Sequence, residues 1–307
     1  MENRIAIIDM GTNTFHLLIA EKRNNSYAIV HRERIASKIG VGGINNGRIT
    51  PEGEERALRA LKDFKEVSDS WKVSNITAFG TSALRNAKNG LSLIERIKFE
   101  IGIEVKIISG DEEAELIYKG VRTAVPLGNE KSLIVDIGGG SVEFIIGNEQ
   151  EIFWKQSFEI GGQRLLERFH HHDPILKEEV EQVNKFLEEA LQPLFTQLDI
   201  HQLNTLVGSS GTFDTLSEIY CQQSNIPYED LPETPLTLQA FENIFAELLT
   251  KNRAQRMQIP GMIEMRVDMI VVACCLIEFL IHNHSFQTIR VSTYSLKEGV
   301  LASLTTP

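Results

Sequence analysis

One pattern occurs twice in this chain, and it constrains the fold more than any other feature. Ile5–Ala20 (IAIIDMGTNTFHLLIA) aligns without gaps with Ser132–Gly147 (SLIVDIGGGSVEFIIG), at a constant offset of 127 residues. Ile7 stands over Ile134, Asp9 over Asp136, Gly11 over Gly138 and His16 over Glu143. Each copy reads as an apolar strand, a tight polar turn and a second apolar strand. A third strand follows in both places, YAIVHRERIAS in the first copy and EIFWKQSFEIG in the second. A chain that builds the same hairpin twice is expected to build the same sheet twice.

The segments after each hairpin support this. Thr50-Pro51 opens a helix, with a capping hydroxyl, a proline at the first helical position and acids Glu52, Glu54 and Glu55 in the first turn. That helix is predicted to end near Trp71-Lys72. The strand NITAFG then runs into a polar turn TSALR, SLIERIKFEIG is helical, IEVKIIS is a strand and DEEAELIYKGV is helical. In the second half ILKEEVEQVNKFLEEALQPLF reads as one long amphipathic helix, and the strand NTLVG runs into the turn SSGT. Helices around FENIFAELLTKN and RVDMIVVACCLIEFLI precede a closing strand, IRVSTYS. Strands alternating with helices give an α/β protein. At 307 residues, 42% of them hydrophobic, a single core is expected to split in two. The breaker cluster Val125-Pro126-Leu127-Gly128-Asn129 sets the expected domains at 1–124 and 125–307.

Charge and composition exclude several functions. The net charge of −11, from 31 basic and 42 acidic side chains, argues against passive binding to nucleic acid or anionic membrane. The longest apolar run, Met269 to Ile281, contains Glu278 and falls short of the ~18 residues of a membrane span. The N-terminus enters a strand without a leader pattern, so a cytoplasmic location is expected. The three cysteines form no C-x-x-C, and Cys274-Cys275 is expected to pack inside a buried helix. His170-His171-His172-Asp173 is expected to be loop, since consecutive residues rarely aim all their side chains at one ion.

The candidate chemistry sits in the turns. Gly138-Gly139-Gly140-Ser141 lets the backbone approach an anion and aim N–H groups at it, and Gly11-Thr12-Asn13-Thr14 is its counterpart. Both turns lie at strand ends, where α/β sheets place ligands. Asp9 and Asp136 could cap those turns or hold Mg²⁺, which prefers hard oxygen ligands. Glu143 lies in an apolar strand, where an acid costs free energy unless it is paired or ligated. Ser109 and Glu112 fit a capping box; Glu113 either complements the helix dipole or projects to a different face for chemistry. Arg85 follows a strand-end turn, and Gly208-Ser209-Ser210-Gly211-Thr212 looks like a further anion loop leading into a helix. Arg32, Arg34 and Lys38 form a local positive stripe.

These residues resemble a known family. The duplicated hairpin resembles the acetate and sugar kinase, heat-shock chaperone and actin superfamily. Within it, DMGTNTFHLLIA, GTSALRNAKN, IISGDEEAELIYKGV, VDIGGGSVEF and VGSSGT, in that order, are similar to the exopolyphosphatase and guanosine pentaphosphate phosphohydrolase family. MRVDMIVVA and VSTYSLKEGVL extend the likeness over essentially the whole chain.

The resemblance implies two domains of ribonuclease H-like (actin-like ATPase) fold with a cleft between them. It implies Glu113 as the base that activates water and Arg85 as the stabiliser of phosphoryl charge. Asp136 and Glu143, with Asp9 as a further candidate, would bind Mg²⁺ or another divalent cation. Gly11 to Thr14, Gly138 to Ser141 and Gly208 to Thr212 would cradle phosphates. The implied reaction is hydrolysis of a terminal phosphate from inorganic polyphosphate or guanosine pentaphosphate; a non-catalytic polyphosphate or nucleotide sensor and a small-molecule kinase on the same fold are the further alternatives, and the expected assembly is a homodimer. The chain stops at Pro307, where longer members carry extra C-terminal helical domains that extend the polyphosphate channel, so processivity on long chains is left open.

Overall fold

The computed structural model describes residues 4–24, 26–229 and 231–304. The first hairpin pairs as the repeat predicts. Strands β1 (Arg4–Met10) and β2 (Phe15–Arg23) are antiparallel with Asp9 opposite His16, and β3 (Ser26–Ile35) pairs outside β2. After a single 3-10 turn at Ile44–Asn46, helix α1 (Pro51–Ser70) returns the chain to β4 (Asn75–Gly80), parallel to β1. Helices α2 (Ser82–Asn86) and α3 (Gly90–Ile101) lead to β5 (Val105–Ile107), which is followed by α4 (Gly110–Ala124).

The second half repeats the plan with additions. Strands β6 (Ser132–Ile137), β7 (Val142–Gly147) and β8 (Ile152–Phe158) precede α5 (Gly162–Phe169), α6 (Lys177–Ala190) and α7 (Gln192–His201). Then come β9 (Thr205–Ser209), α8 (Gly211–Gln223), β10 (Glu233–Thr234), α9 (Leu238–Thr250) and α10 (Arg253–Arg256). Helix α11 (Ile270–Asn283), β11 (Thr288–Ser292) and α12 (Leu296–Ser303) finish the described chain. The sheets run β3-β2-β1-β4-β5 and β10-β11-β9-β6-β7-β8. Without the two-residue edge strand β10, the second order is the first one over again, as the ribonuclease H-like expectation requires.

Local chemistry explains several boundaries. Thr50 caps α1 by accepting a hydrogen bond from the Gly53 amide at 3.1 Å, with Pro51 in the first turn. Ser109 and Glu112 form the expected capping box on α4. Cys274 and Cys275 are buried in α11. Two expectations are corrected. The run ILKEEVEQVNKFLEEALQPLF is two helices, α6 and α7, parted at Leu191. Pro193 lacks an N–H and its ring crowds the carbonyl one turn earlier, so one helix cannot run through it. TSALR is not a turn throughout: Thr81 makes the bend and the rest is the short helix α2.

Three apolar clusters hold the molecule together. One packs helices on the second sheet and another packs helices on the first. The third lies between the sheets, where Ile7 and Leu18 from one and Ile134 and Ile145 from the other meet α4 and α12. A Cβ on Gly299 would stand 1.7 Å from the Leu116 carbonyl oxygen, and one on Gly120 2.0 Å from that of Ser295. Only glycine lets α4 and α12 approach this closely. A helix from the first half and one from the last residues are thereby fixed together, and α12 also rests on β1 and β2. This crossing sets the two repeated hairpins face to face.

Candidate active site

Each repeated turn begins beside an aspartate near the end of its central strand. Gly11 and Gly138 are equivalent in space as well as in sequence. A Cβ on Gly11 would come 2.8 Å from the Thr14 carbonyl oxygen, and one on Gly138 3.0 Å from that of Ser141. Gly139 and Gly140 are required for a different reason, the approach of the opposite wall. A Cβ on Gly139 would lie 2.6 Å from Asn13 Oδ1, and one on Gly140 2.4 Å from Thr12 Oγ1 and 2.5 Å from Ser82 Oγ.

Between the walls is a small cavity of about 70 Å³. Asp9 and Gly11 to Thr14 line one side, Asp136, Gly138 to Ser141 and Glu143 the other, and Glu113 enters from α4. Thr12 Oγ1, Asn13 Oδ1 and Thr14 Oγ1 are buried and have no hydrogen-bond partner. Buried polar atoms are nearly always bonded. Three orphans on one turn therefore point to a polar ligand that belongs between the walls.

Glu113 is 7% exposed, although it sits in the first turn of a helix. Arg85 Nη1 donates to Glu113 Oε2 at 2.8 Å and to the Ile108 carbonyl at 3.1 Å, while Nη2 donates to Glu159 Oε1 at 3.2 Å. Burial, then repulsion from Glu143, pushes the Glu113 carboxyl well above the usual range, and Arg85 opposes that rise. The Glu143 carboxyl is raised to about 8 by burial and then by Asp136, although Ser157 Oγ donates to it at 2.6 Å. Asp9 is raised to about 7, chiefly by burial, with Lys297 pulling the other way. Asp136 is also raised by burial, against the hydroxyls of Ser295 and Ser209, which donate to Oδ2 at 2.5 and 2.9 Å. Opposite Asp9, His16 is held neutral: burial, then Lys297 and Arg266, lowers its pKa well below the usual value.

The third expected loop is divided. Gly208 lies under the Phe213 ring, where a Cβ would come within 2.1 Å, and Ser209 is occupied with Asp136. A Cβ on Gly211 would meet the Arg266 guanidinium at 2.0 Å, and Thr212 is buried in α8. From this loop Ser210, at φ 75°, reaches the cavity. The His170-His171-His172 run is loop, and His172 Nδ1 lies 2.9 Å from Glu179. Arg32 and Arg34 share a face and line a separate cavity of about 330 Å³ behind His16, where Arg32 is 3.7 Å from Glu298.

Among the described residues no three His, Cys, Asp or Glu side chains are grouped closely enough to enclose a metal ion. That donor set still suits Mg²⁺, which is usually held by one or two carboxylates with water and substrate phosphate oxygens completing the shell. Asp136 and Glu143 line the cavity, with Asp9 across the cleft, and are the residues that would hold it.

Sequence reasoning missed Ser82, Glu159, Gln163, Arg164, Arg266, Ser295 and Lys297. Ser82, Arg266, Ser295 and Lys297 stand inside motifs quoted above, but nothing local marks them as site residues. Glu159, Gln163 and Arg164 act across the cleft, and only the tertiary structure brings them there: Asn13 Nδ2, for example, donates to Gln163 Oε1 at 2.8 Å.

Comparison with known proteins shows what the whole chain is similar to. The family model described as the Ppx/GppA phosphatase family matches residues 18–306. A crystal structure of an exopolyphosphatase from Cytophaga hutchinsonii is 47% identical, with a TM-score of 0.95, and the match covers 98% of this chain and 97% of that one. A PPX-GPPA enzyme from Aquifex aeolicus is 27% identical, with a TM-score of 0.76, over 98% of this chain and 99% of that one.

Proposed function

The chain belongs to the Ppx/GppA phosphatase family, and from that premise we propose that it releases terminal orthophosphate from inorganic polyphosphate by attack of water. The observation that carries this reading is the opposition of Glu113 to the orphaned Thr12 and Thr14 hydroxyls across one small cavity. The identity to the Cytophaga exopolyphosphatase supports polyphosphate over guanosine pentaphosphate as the substrate.

The chemistry follows from the residues present. Thr12, Thr14 and the backbone of Gly138 to Gly140 bind and orient the terminal phosphoryl group. Glu113 takes a proton from water as its oxygen bonds to phosphorus; the anhydride P–O bond breaks and its electron pair leaves on the shortened chain. A base works best with a pKa near the operating pH, and burial moves Glu113 in that direction. Arg85 keeps Glu113 oriented and adds positive charge where the transferring group becomes most anionic. Asp136 and Glu143, with Asp9 opposite, would hold Mg²⁺, which when bound neutralises phosphate oxygens and clamps the group in line.

Hydrolysis in ¹⁸O-water tests this. Attack on the terminal phosphorus places one labelled oxygen in each released orthophosphate and needs no added acceptor. Release that depends on an added hydroxyl or carboxyl acceptor, or orthophosphate without label, overturns it. Guanosine pentaphosphate run in parallel is expected to be the slower substrate.

A further inference from the structure

One carboxylate in the cleft is gripped by side chains from both of its walls. Glu159 lies in the short link between β8 and α5 and is 39% exposed at its side chain. Three donors from two helices, Ser82 and Arg85 on α2 and Arg164 on α5, converge on it. Ser82 Oγ donates to Oε2 at 2.5 Å, Arg164 Nη2 to Oε2 at 2.9 Å, and Arg85 Nη2 to Oε1 at 3.2 Å. None of these donors depends on Glu159 for its position. Arg85 is tied to Glu113 and the Ile108 carbonyl. Arg164 Nε donates to the Gly140 carbonyl at 2.8 Å and Nη1 to that of Ile44 at 3.0 Å. Ser82 is buried and lines the cavity that holds Glu113. Removing the glutamate would leave two preset guanidinium groups and a hydroxyl facing one point, the donor set that recognises phosphate oxygens.

We propose that Ser82, Arg85 and Arg164 form a second phosphate subsite beside the hydrolytic one, and that Glu159 is its internal placeholder, which yields to a phosphate oxyanion. This rests on the reading of the chain as a polyphosphate hydrolase. The occupant has one chemistry and two sources, the orthophosphate just released or the next phosphoryl group of the bound chain. In either case the carboxylate competes with phosphate for the same donors, so the site in this state binds phosphate below its intrinsic affinity. Because Glu159 is over one-third exposed, water screens its hold, and the competition is worth a moderate factor.

The test compares wild type with Glu159→Ala and Glu159→Gln. Orthophosphate is measured as a ligand by calorimetry and as an inhibitor, and KM and kcat are measured on polyphosphate. Both variants are expected to bind orthophosphate more tightly, by about three- to tenfold for Ala and less for Gln, which keeps a hydrogen-bonding oxygen. A fall in KM together with the tighter orthophosphate assigns the subsite to the substrate chain. An unchanged KM assigns it to the leaving product.

Glu167→Ala is the control, because Glu167 Oε1 also crosses the cleft, accepting from the Gly42 amide at 2.7 Å, without touching this cradle. Equal tightening in Glu167→Ala would show mere loosening of the walls and overturn the proposal. Unchanged or weaker orthophosphate binding in both Glu159 variants would do the same. Absence of polyphosphate turnover in wild type would refute the hydrolase reading instead, and calorimetry with orthophosphate would still report on the cradle.

Discussion

Metal-free protein should lose stability as pH rises from about 5 to 8, and Mg²⁺ should restore it at the alkaline end. Glu143 is held at about 8 instead of 4.5, Asp9 at about 7 and Asp214 at about 6 instead of 3.8, mainly by burial. Between the unfolded and folded values the native state holds protons that the unfolded chain has released. Stability therefore falls with pH across that window. Each of these raised groups contributes fully below about pH 4, and its contribution is gone once pH passes its folded value. Glu143 is 1% exposed, so little solvent screening reduces its share. At about 1.4 kcal/mol per tenfold change in proton affinity, moving it from 4.5 to about 8 is on the order of 5 kcal/mol. That is comparable with the whole stability of many domains.

Glu179, lowered to about 2 against the cost of burial by the Leu176 amide and His172, works the other way. Its contribution is complete above about pH 4.5 and lost as pH falls through 2, so the optimum lies near pH 5. Thermal unfolding after chelation, from pH 5 to 8, should show a fall in Tm of roughly 10 °C. Adding Mg²⁺ should raise Tm much more at pH 8 than at pH 5, because a bound cation favours the ionised carboxylates. A chelated protein as stable at pH 8 as at pH 5, or an equal Mg²⁺ effect at both, would refute the reasoning.

Other substitutions probe the parts separately. Arg85→Met should lower kcat by about 10² and move the acid limb of the pH–rate profile upward, since Glu113 loses the cation opposing its protonation. A profile that stays in place would mean Arg85 does not govern Glu113. Gly161→Ala places a Cβ 2.5 Å from the Gly139 and Gly140 backbone and should cost about 1–3 kcal/mol in urea unfolding together with most of the activity. Arg256 is 2% exposed and ties α10 to Asp173 and the Lys251 carbonyl at 2.6 and 2.7 Å. Arg256→Met should destabilise by about 3 kcal/mol while kcat measured well below Tm is unchanged.

The sequence carried the hairpins in full, because strand alternation and turn glycines are local properties. Asp9 over Asp136 and His16 over Glu143 in the alignment became Asp9 opposite His16 and Asp136 opposite Glu143 across paired strands. Glu113 was ambiguous, since a capping residue and a cleft residue adjoin in one helical turn and only burial separates them. The break between α6 and α7 was written in Pro193, but an uninterrupted amphipathic pattern hid it. Gly120 and Gly299 have no local signature at all; their meaning lies in the crossing of two helices distant in the chain. Glu159 and Arg164 were illegible for the same reason. An acid before a glycine pair and an arginine on a short helix look like surface residues until the opposite wall is in place.

The central claim is that Glu113 activates water against a terminal phosphate. Orthophosphate release from medium-chain polyphosphate with Mg²⁺, measured for wild type and Glu113→Gln beside equilibrium binding of the same polymer, tests it most directly. Binding should persist in the variant while turnover falls at least ~10²-fold. Near-normal turnover in Glu113→Gln would contradict the account.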